Sequence, residues 1–349
     1  MNGSSHPQLT LTSSLPLHWA YFFKGVLPVP IVLLVREFEV NELVSFDDAI
    51  RAVEDGFRLL GSGGAVNLPR RRAIVGGAVL HVLQGVVLGD YRVAGLKTYL
   101  STRHGTRFVV VLFSLDSGEL LAIIEADRLG QLRTGAASAV ATKYMARGDS
   151  SVLGIVGSGV QARAQFEALS RVLNLKLVKV FSRSRGHAEE FARYIGSRGF
   201  DAVVAGDYEE VCRGVDVLVT ATNSKDPFIR GSYIAPGMHI NAIGSNWANK
   251  AELFPDVVLR ADLVAVDDVA QAREEAGDLI MAGDAVWSRV VPLADVVVGR
   301  VRGRPSNGSV TVFKSLGIAV EDLVLAKLIY DRAVREGRGV EVEFRGVFR

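Results

Sequence analysis

A chain of 349 residues, 49% hydrophobic and 22% charged, is globular and too long for one ordinary core, so two domains are expected. A formal net charge of +2, with short and scattered basic runs, gives no reason to expect a nucleic-acid partner or a membrane surface. Cys212 is the only cysteine, so no disulfide forms within the chain, no metal site is expected, and a reducing, cytoplasmic setting fits.

Residues 1–31 have a polar start, Asn2 to Ser14, and then enter an apolar stretch at 15–35 that carries Lys24, Pro28 and Pro30. The start has no Lys or Arg and no clear small-residue cleavage site follows, so residues 1–31 read as an extra N-terminal segment rather than a signal peptide or a membrane span. Residues 40–60 have the spacing of an amphipathic helix, with Ser45 as N-cap before Asp48 and with Ile50, Val53, Phe57 and Leu60 on one face. Strand patterns at 66–69, 73–87 and 108–113, with a hairpin turn at Asp116-Ser117-Gly118, predict a mainly antiparallel sheet. After an apolar run at 120–125, residues 129–146 read as a tightly packed helix, since Gly135, Ala136, Ala137, Ser138 and Ala139 are all small.

The stretch from Ser151 to Ala162 then runs from a buried strand into a glycine-rich turn and a helix. Gly157 ends the strand, Gly159 lets an anion approach the backbone, and Ala162 needs only to be small where the helix packs on the strand. The free N–H groups at the head of that helix suit a pyrophosphate. Beyond it, an apolar run at 175–181, a helix at about 186–195, a short run at 202–204 and a strand at 216–220 keep the β-α-β rhythm of a doubly wound sheet. Further strands are expected at 238–243, 263–267 and 311–313, with a short acidic helix at 270–276 and a long one at 320–336 that returns to the first domain.

Three cations stand at predicted element edges in a region otherwise built for packing: Arg71 after Pro69, Lys97, and Arg133 at the head of its helix. A bidentate guanidinium plus a point charge holds a small carboxylate best, with the helix dipole helping at Arg133. Spacing alone leaves the Arg70-Arg71-Arg72 triplet equally readable as solvated surface. His81, His104, His187 and His239 are not spaced to share a metal, and His239 reads as a packed strand residue. Glu274, Glu275 and Asp278 read as a solvated acidic face.

Five motifs now fall into order: Arg133-Thr-Gly-Ala-Ala-Ser-Ala139, Gly157-Ser-Gly-Val-Gln-Ala162, Thr220-Ala-Thr-Asn-Ser224, Pro236-Gly-Met-His-Ile-Asn-Ala-Ile-Gly244 and Phe313-Lys-Ser-Leu-Gly-Ile-Ala-Val-Glu-Asp322. Together they resemble the ornithine cyclodeaminase/mu-crystallin family over residues 32–333. The resemblance implies an α/β fold in which a Rossmann doubly wound domain, residues 148–308, is inserted in an α+β substrate-binding and dimerisation domain, residues 32–147 and 309–349. It also implies a homodimer and a nicotinamide cofactor facing a small imino or amino acid.

Position by position, the resemblance assigns Arg71, Lys97 and Arg133 to the substrate carboxylate. It sets the cofactor against Thr134, against Gly157, Gly159, Val160, Gln161 and Ala162, and against Thr220, Thr222, Ile243, Ser245, Lys250 and Ser315. Lys97 and Asn246 are the catalytic candidates. Where the cyclodeaminases carry an aspartate as acid/base, this chain has Asn246, and Gln84 falls where those enzymes have a glutamate. An amide accepts no proton at neutral pH, so cyclodeamination loses its base, and alanine dehydrogenase-type chemistry wants the same missing acid. Reduction of a ketimine needs little proton handling and is the favoured activity; a nucleotide-bound binding protein without turnover is the rival of another class. After the second nucleotide-domain strand, Ser182-Arg183 stands where an acid would grip the ribose of NAD, which favours NADP(H) over NAD(H).

Overall fold

The computed structural model describes residues 31–344. The first domain opens with β1 (Ile31–Val35), α1 (Glu37–Leu43) and α2 (Phe46–Ser62), followed by β2 (Ala65–Val75), β3 (Ala78–Val87), β4 (Val93–Thr102), β5 (Gly105–Ser114), β6 (Leu120–Glu125) and α3 (Asp127–Met145). The nucleotide domain contains β7 (Val152–Val156), α4 (Val160–Leu169), β8 (Leu177–Phe181), α5 (Arg185–Ser197), β9 (Ala202–Val204), α6 (Tyr208–Cys212) and β10 (Val217–Thr220). It continues through β11 (His239–Ala242), α7 (Pro255–Arg260), β12 (Leu263–Val266), α8 (Val269–Glu275), α9 (Gly277–Ile280), β13 (Val290–Pro292), α10 (Leu293–Val297) and β14 (Thr311–Lys314). The chain then returns through α11 (Ala319–Glu336) and β15 (Val340–Glu343).

The outer sheet has the order β15-β1-β6-β5-β4-β3-β2 and is antiparallel except where β1 runs parallel to β6. One face packs on α2, α3 and α11, whose Phe57, Leu129 and Leu323 are buried. Ser45 caps α2 as expected: its hydroxyl accepts from the Asp48 amide at 3.2 Å while the Asp48 carboxylate takes the Ser45 amide at 3.0 Å. Expected residues 1–31 fall outside the described residues except Ile31, which opens β1.

The inner sheet, β13-β12-β14-β11-β10-β7-β8-β9, is wholly parallel and covered by helices, which accounts for the unbroken apolar runs in its strands. Strand order reverses between β7 and β10, and the crevice outside their carboxyl ends is the ordinary place for a ligand in such a sheet. The expected boundary at 308/309 is corrected here. Thr311–Lys314 is a central strand of the nucleotide sheet, between β11 and β12, because Val312 and Phe313 are buried there; the chain leaves that domain only after Lys314. The small residues of α3 serve close packing, since a Cβ at Gly135 would stand 2.7 Å from the Ala164 carbonyl of α4.

Candidate active site

At the crevice, β7 ends in Gly157, whose φ of +118° belongs to the left-handed side and whose added Cβ would collide with the Ala221 carbonyl. Gly159 is the N-cap of α4, and a Cβ there would meet nothing within 4 Å, so the backbone is open to an approaching group. A cavity of about 410 Å³ begins at this turn, lined by Gly157, Gly159, Val160 and Gln161, and continues past Ser182, Arg183, Thr222 and Ile243. Ala162 is fully buried behind the turn, where its small side chain lets α4 sit close to the sheet. This glycine cradle at the head of a helix fits a dinucleotide pyrophosphate, and Ser182, Arg183 and His187 line the same cavity.

A second cavity, of about 450 Å³, shares Gln161, Asn223 and Gly244 with the first. Arg70, Lys97 and Arg133 enter it from the outer domain, and Ser245, Asn246, Trp247 and Lys250 from the loop after β11. Lys97 is buried on β4, with its Nζ 2.9 Å from Asp322 Oδ1. Burial pushes the ammonium down to about 8, partly offset by Asp322 and reinforced by Arg133. Burial also works against the Arg133 charge, but Asp322 and Glu321 outweigh it and hold the guanidinium above its usual value. Its Nη1 lies 2.9 Å from Glu321 Oε2, and Gly317, at φ +77°, leaves the room that any Cβ would take from that guanidinium.

Arg71 is corrected to Arg70. The β2 ladder slips between Leu68 and Arg71, where Pro69 and Arg70 together oppose Leu83, and the extra residue reverses the inward phase of the strand. Arg71 is therefore 73% exposed at its side chain, 3.7 Å from Glu274, whereas Arg70 is buried and pairs with Glu275 at 2.9 Å. Arg70 also donates to the Leu316 and Gly317 carbonyls. Arg133 is not at a helix head: α3 begins at Asp127, so carboxylates rather than the dipole set its charge. Gln84 is exposed on the opposite face of β3 from His81 and Leu83, which line the cavity.

Several expected cofactor contacts lie behind the cavities. Thr134 bonds back to the Gly130 carbonyl at 2.7 Å, and Ser315 is buried with its amide on the Ala242 carbonyl at 3.1 Å. Thr220 is fully buried on Glu252 at 2.7 Å, and Ser245 and Lys250 line the second cavity rather than the first. Asn246 lines it too, while its carbonyl takes Arg72 Nη2 at 2.9 Å.

Buried polar residues to which the sequence reading gave no part in the site hold this geometry. Glu252 accepts Thr220 Oγ1, the Thr222 amide and hydroxyl, and the Gly244 amide, joining the loops after β10 and β11. Asp278 accepts the Glu252 and Leu253 amides and pairs with buried Lys314, which donates to the Ser245 carbonyl. The expected solvated acidic face is thus corrected: Glu275 and Asp278 are buried, and only Glu274 is exposed. His81, another missed residue, stacks on Tyr99 at 4.1 Å and meets Trp247 edge-on. Burial, then Arg72 and Arg70, hold it neutral with a value of about 4, and Arg72 Nε donates to its Nδ1 at 3.2 Å. His239 is fully buried against Thr311, as expected.

The family profile described as "Ornithine cyclodeaminase/mu-crystallin family" matches residues 30–337. The chain belongs to this family. The mouse (Mus musculus) ketimine reductase mu-crystallin is 37% identical over 64% of this chain and 68% of its own. An archaeal alanine dehydrogenase dimer with bound NAD superposes with a TM-score of 0.86 at 33% identity, covering 90% of this chain and all of that one. The Δ1-pyrroline-2-carboxylate reductase of Thermococcus litoralis, in complex with NADH and L-proline, superposes with a TM-score of 0.85 at 30% identity, over 89% of this chain and all of that one. The chain is an NAD(P)-dependent oxidoreductase acting on the C=N/CH–NH bond of a small imino or amino acid.

Proposed function

We propose that this enzyme reduces a cyclic ketimine carboxylate and prefers NADPH. The observation that carries the reading is the second cavity itself: Arg70, Lys97, Arg133 and Lys250 line it, no Asp or Glu does among the described residues, and it joins the dinucleotide cradle at Gln161, Asn223 and Gly244. Arg70 and Arg133 orient the substrate carboxylate, and the nicotinamide, when bound, supplies the hydride. Lys97 stands as the proton source for the imine nitrogen, since its lowered value of about 8 leaves it charged at neutral pH yet able to release a proton. The wall of His81, Tyr99, Phe108 and Trp247 suits a flat, apolar ring. Cyclodeamination of ornithine would leave its second amine without a carboxylate to receive its proton.

Ser182, Arg183 and His187, which we assign to the ribose end of the cradle, support NADPH over NADH, since no Asp or Glu lines that cavity among the described residues. A homodimer through the outer sheet belongs to the same proposal. Val66, Leu68, Leu80, Leu100 and Phe113 share the sheet face turned away from α11 and are each at least 37% exposed, an apolar grouping of the kind that suits a protein–protein contact. Among the described residues, no helix is long and apolar enough to cross a membrane; a cytoplasmic location is part of the reading and suits the single buried thiol of Cys212. The test is a spectrophotometric screen of NADPH and NADH oxidation against cyclic ketimine carboxylates and pyruvate plus ammonia, with proline and ammonia assayed from ornithine. Turnover of ornithine, or turnover confined to pyruvate plus ammonia, would reject ketimine reduction.

A further inference from the structure

The wall that the outer sheet gives to the second cavity is built in rows. Leu83 pairs with Lys97, and Pro69 and Arg70 bulge opposite Leu83, so Arg70 and Lys97 belong to the row that receives a carboxylate. Two residues further along the strands, roughly 7 Å away, His81 pairs with Tyr99 and Tyr99 with Phe108. One row beyond, Ser101 pairs with Thr106, and His81, Tyr99, Phe108, Ser101 and Thr106 all line the cavity. A small ring acid held at the first row lies with its remote end against the second.

His81 is the polar group of that second row whose hydrogen-bonding role is fixed. Arg72 Nε donates to His81 Nδ1 at 3.2 Å, and the same guanidinium is held in place by Glu275 at 2.6 Å and by the Asn246 carbonyl at 2.9 Å. With Nδ1 taken as an acceptor, the proton of the neutral ring sits on Nε2. That N–H has no hydrogen-bond partner among the described residues, yet it is not sealed off from open space. Stacking on Tyr99 at 4.1 Å and the edge contact with Trp247 at 6.0 Å hold the ring plane. Burial, then Arg72 and Arg70, keep the imidazole neutral, at about 4, so the donor persists across neutral pH. Trp247 and Lys250 bring further N–H donors to the lining, and no Asp or Glu joins them among the described residues.

A donor so placed is satisfied by an oxygen on the ligand and left unpaired by a hydrocarbon edge, while an ammonium would set donor against donor. We infer that the substrate is a ring acid with an oxygen at the end remote from its carboxylate, a hydroxyl or carbonyl that accepts from His81 Nε2–H. His81 is then a specificity-determining contact, and Arg72 is a positioning residue that fixes its tautomer.

The inference rests on the cavity being a carboxylate site, and one experiment separates the two. L-Proline and the cis and trans epimers of 4-hydroxy-L-proline, which present a hydroxyl on either face of the ring, are titrated by calorimetry into the full chain saturated with NADPH, a pairing that cannot transfer hydride. One epimer at least is expected to bind about tenfold or more tightly than L-proline. The preference should vanish in His81→Leu and be kept in His81→Gln, whose amide N–H₂ takes the place of the ring donor. In unmodified protein carrying 15N-histidine, long-range 1H–15N spectra should show the His81 proton on Nε2, with a larger shift of that signal on adding the preferred epimer than on adding L-proline. L-Proline binding as tightly as both epimers, a preference that survives His81→Leu or is lost in His81→Gln, or a proton found on Nδ1 overturns the inference and leaves the carboxylate site standing. Failure of all three acids to bind overturns both.

Discussion

Lys97 Nζ lies 2.9 Å from Asp322 Oδ1, and Arg133 Nε reaches the same oxygen at 3.2 Å, so one carboxylate on α11 ties together two of the cations that line the cavity. The ammonium is thereby aimed while its charge is weakened by burial, which separates a proton-donating role from a clamping one. The protonated form prevails below about 8 and is lost as pH rises through that value, so reduction should slow over that limb. Lys97→Arg keeps a positive charge but does not release a proton; it should lower kcat by roughly 100-fold while moving KM far less, and remove the alkaline limb. An unchanged pH profile in this variant would reduce Lys97 to a clamp.

Arg70 and Arg71 should behave as opposites despite being neighbours. Arg70→Lys removes the guanidinium that reaches Glu275, Leu316 and Gly317, and it should raise KM for the ketimine by about tenfold or more. Arg71→Ala removes an exposed side chain and should leave KM within about twofold. Steady-state kinetics on the two purified variants decide it, and the reverse ranking would mean that the β2 bulge is misplaced.

That pair also marks where the sequence stops being legible. The glycine turn, the alternation of β5 and the Ser45 cap all follow from local periodicity, so they can be read before the fold is known. Arg70 cannot, because one extra residue at Pro69 reverses which side chains face inward, and only the pairing with β3 reveals it. The position of Arg133 within α3 depends on a distant residue as well: Glu37 receives the Asp127 and Arg128 amides and so sets the start of that helix. Glu252, Asp278 and Lys314 look like surface residues in a linear reading, since their burial is made tolerable only by partners on other elements.

Arg183→Ala tests the choice of cofactor. Loss of a charge-assisted contact to a 2′-phosphate should weaken NADPH by roughly 1.5–3 kcal/mol, about ten- to a hundredfold, with NADH little affected. Fluorescence titration with both cofactors measures the difference, and equal losses would remove the phosphate site.

Glu252→Gln puts an amide N–H₂ among groups that are themselves donors: Thr220, Thr222 and the Gly244 amide. At least one buried donor then loses its acceptor, and denaturant unfolding should show a destabilisation of roughly 2–3 kcal/mol. Both cavities depend on the loops that Glu252 joins, so KM should rise for cofactor and ketimine together. A rise for only one of them would show that the loops hold their places independently.

Asn246 is where the chain departs most sharply from an enzyme that expels ammonia. The residue borders the second cavity, its backbone carbonyl is fixed by Arg72, and no Asp or Glu shares that lining among the described residues. The unmodified protein should therefore yield neither proline nor ammonia from ornithine, whose amine must lose a proton before the ring can close. Asn246→Asp changes one atom type at nearly constant volume, so cyclic ketimine reduction should persist, with kcat within about tenfold. The new carboxylate would also stand in a cavity that holds Lys97, Arg70 and Arg133, and those cations favour its ionised form, the form able to accept a proton from an amine. Trace release of ammonia from ornithine by this variant, followed by an enzyme-coupled assay, is the expected gain. Robust proline formation by the unmodified protein would mean that Lys97, the one nearby group brought to about 8, performs the deprotonation assigned elsewhere to an aspartate.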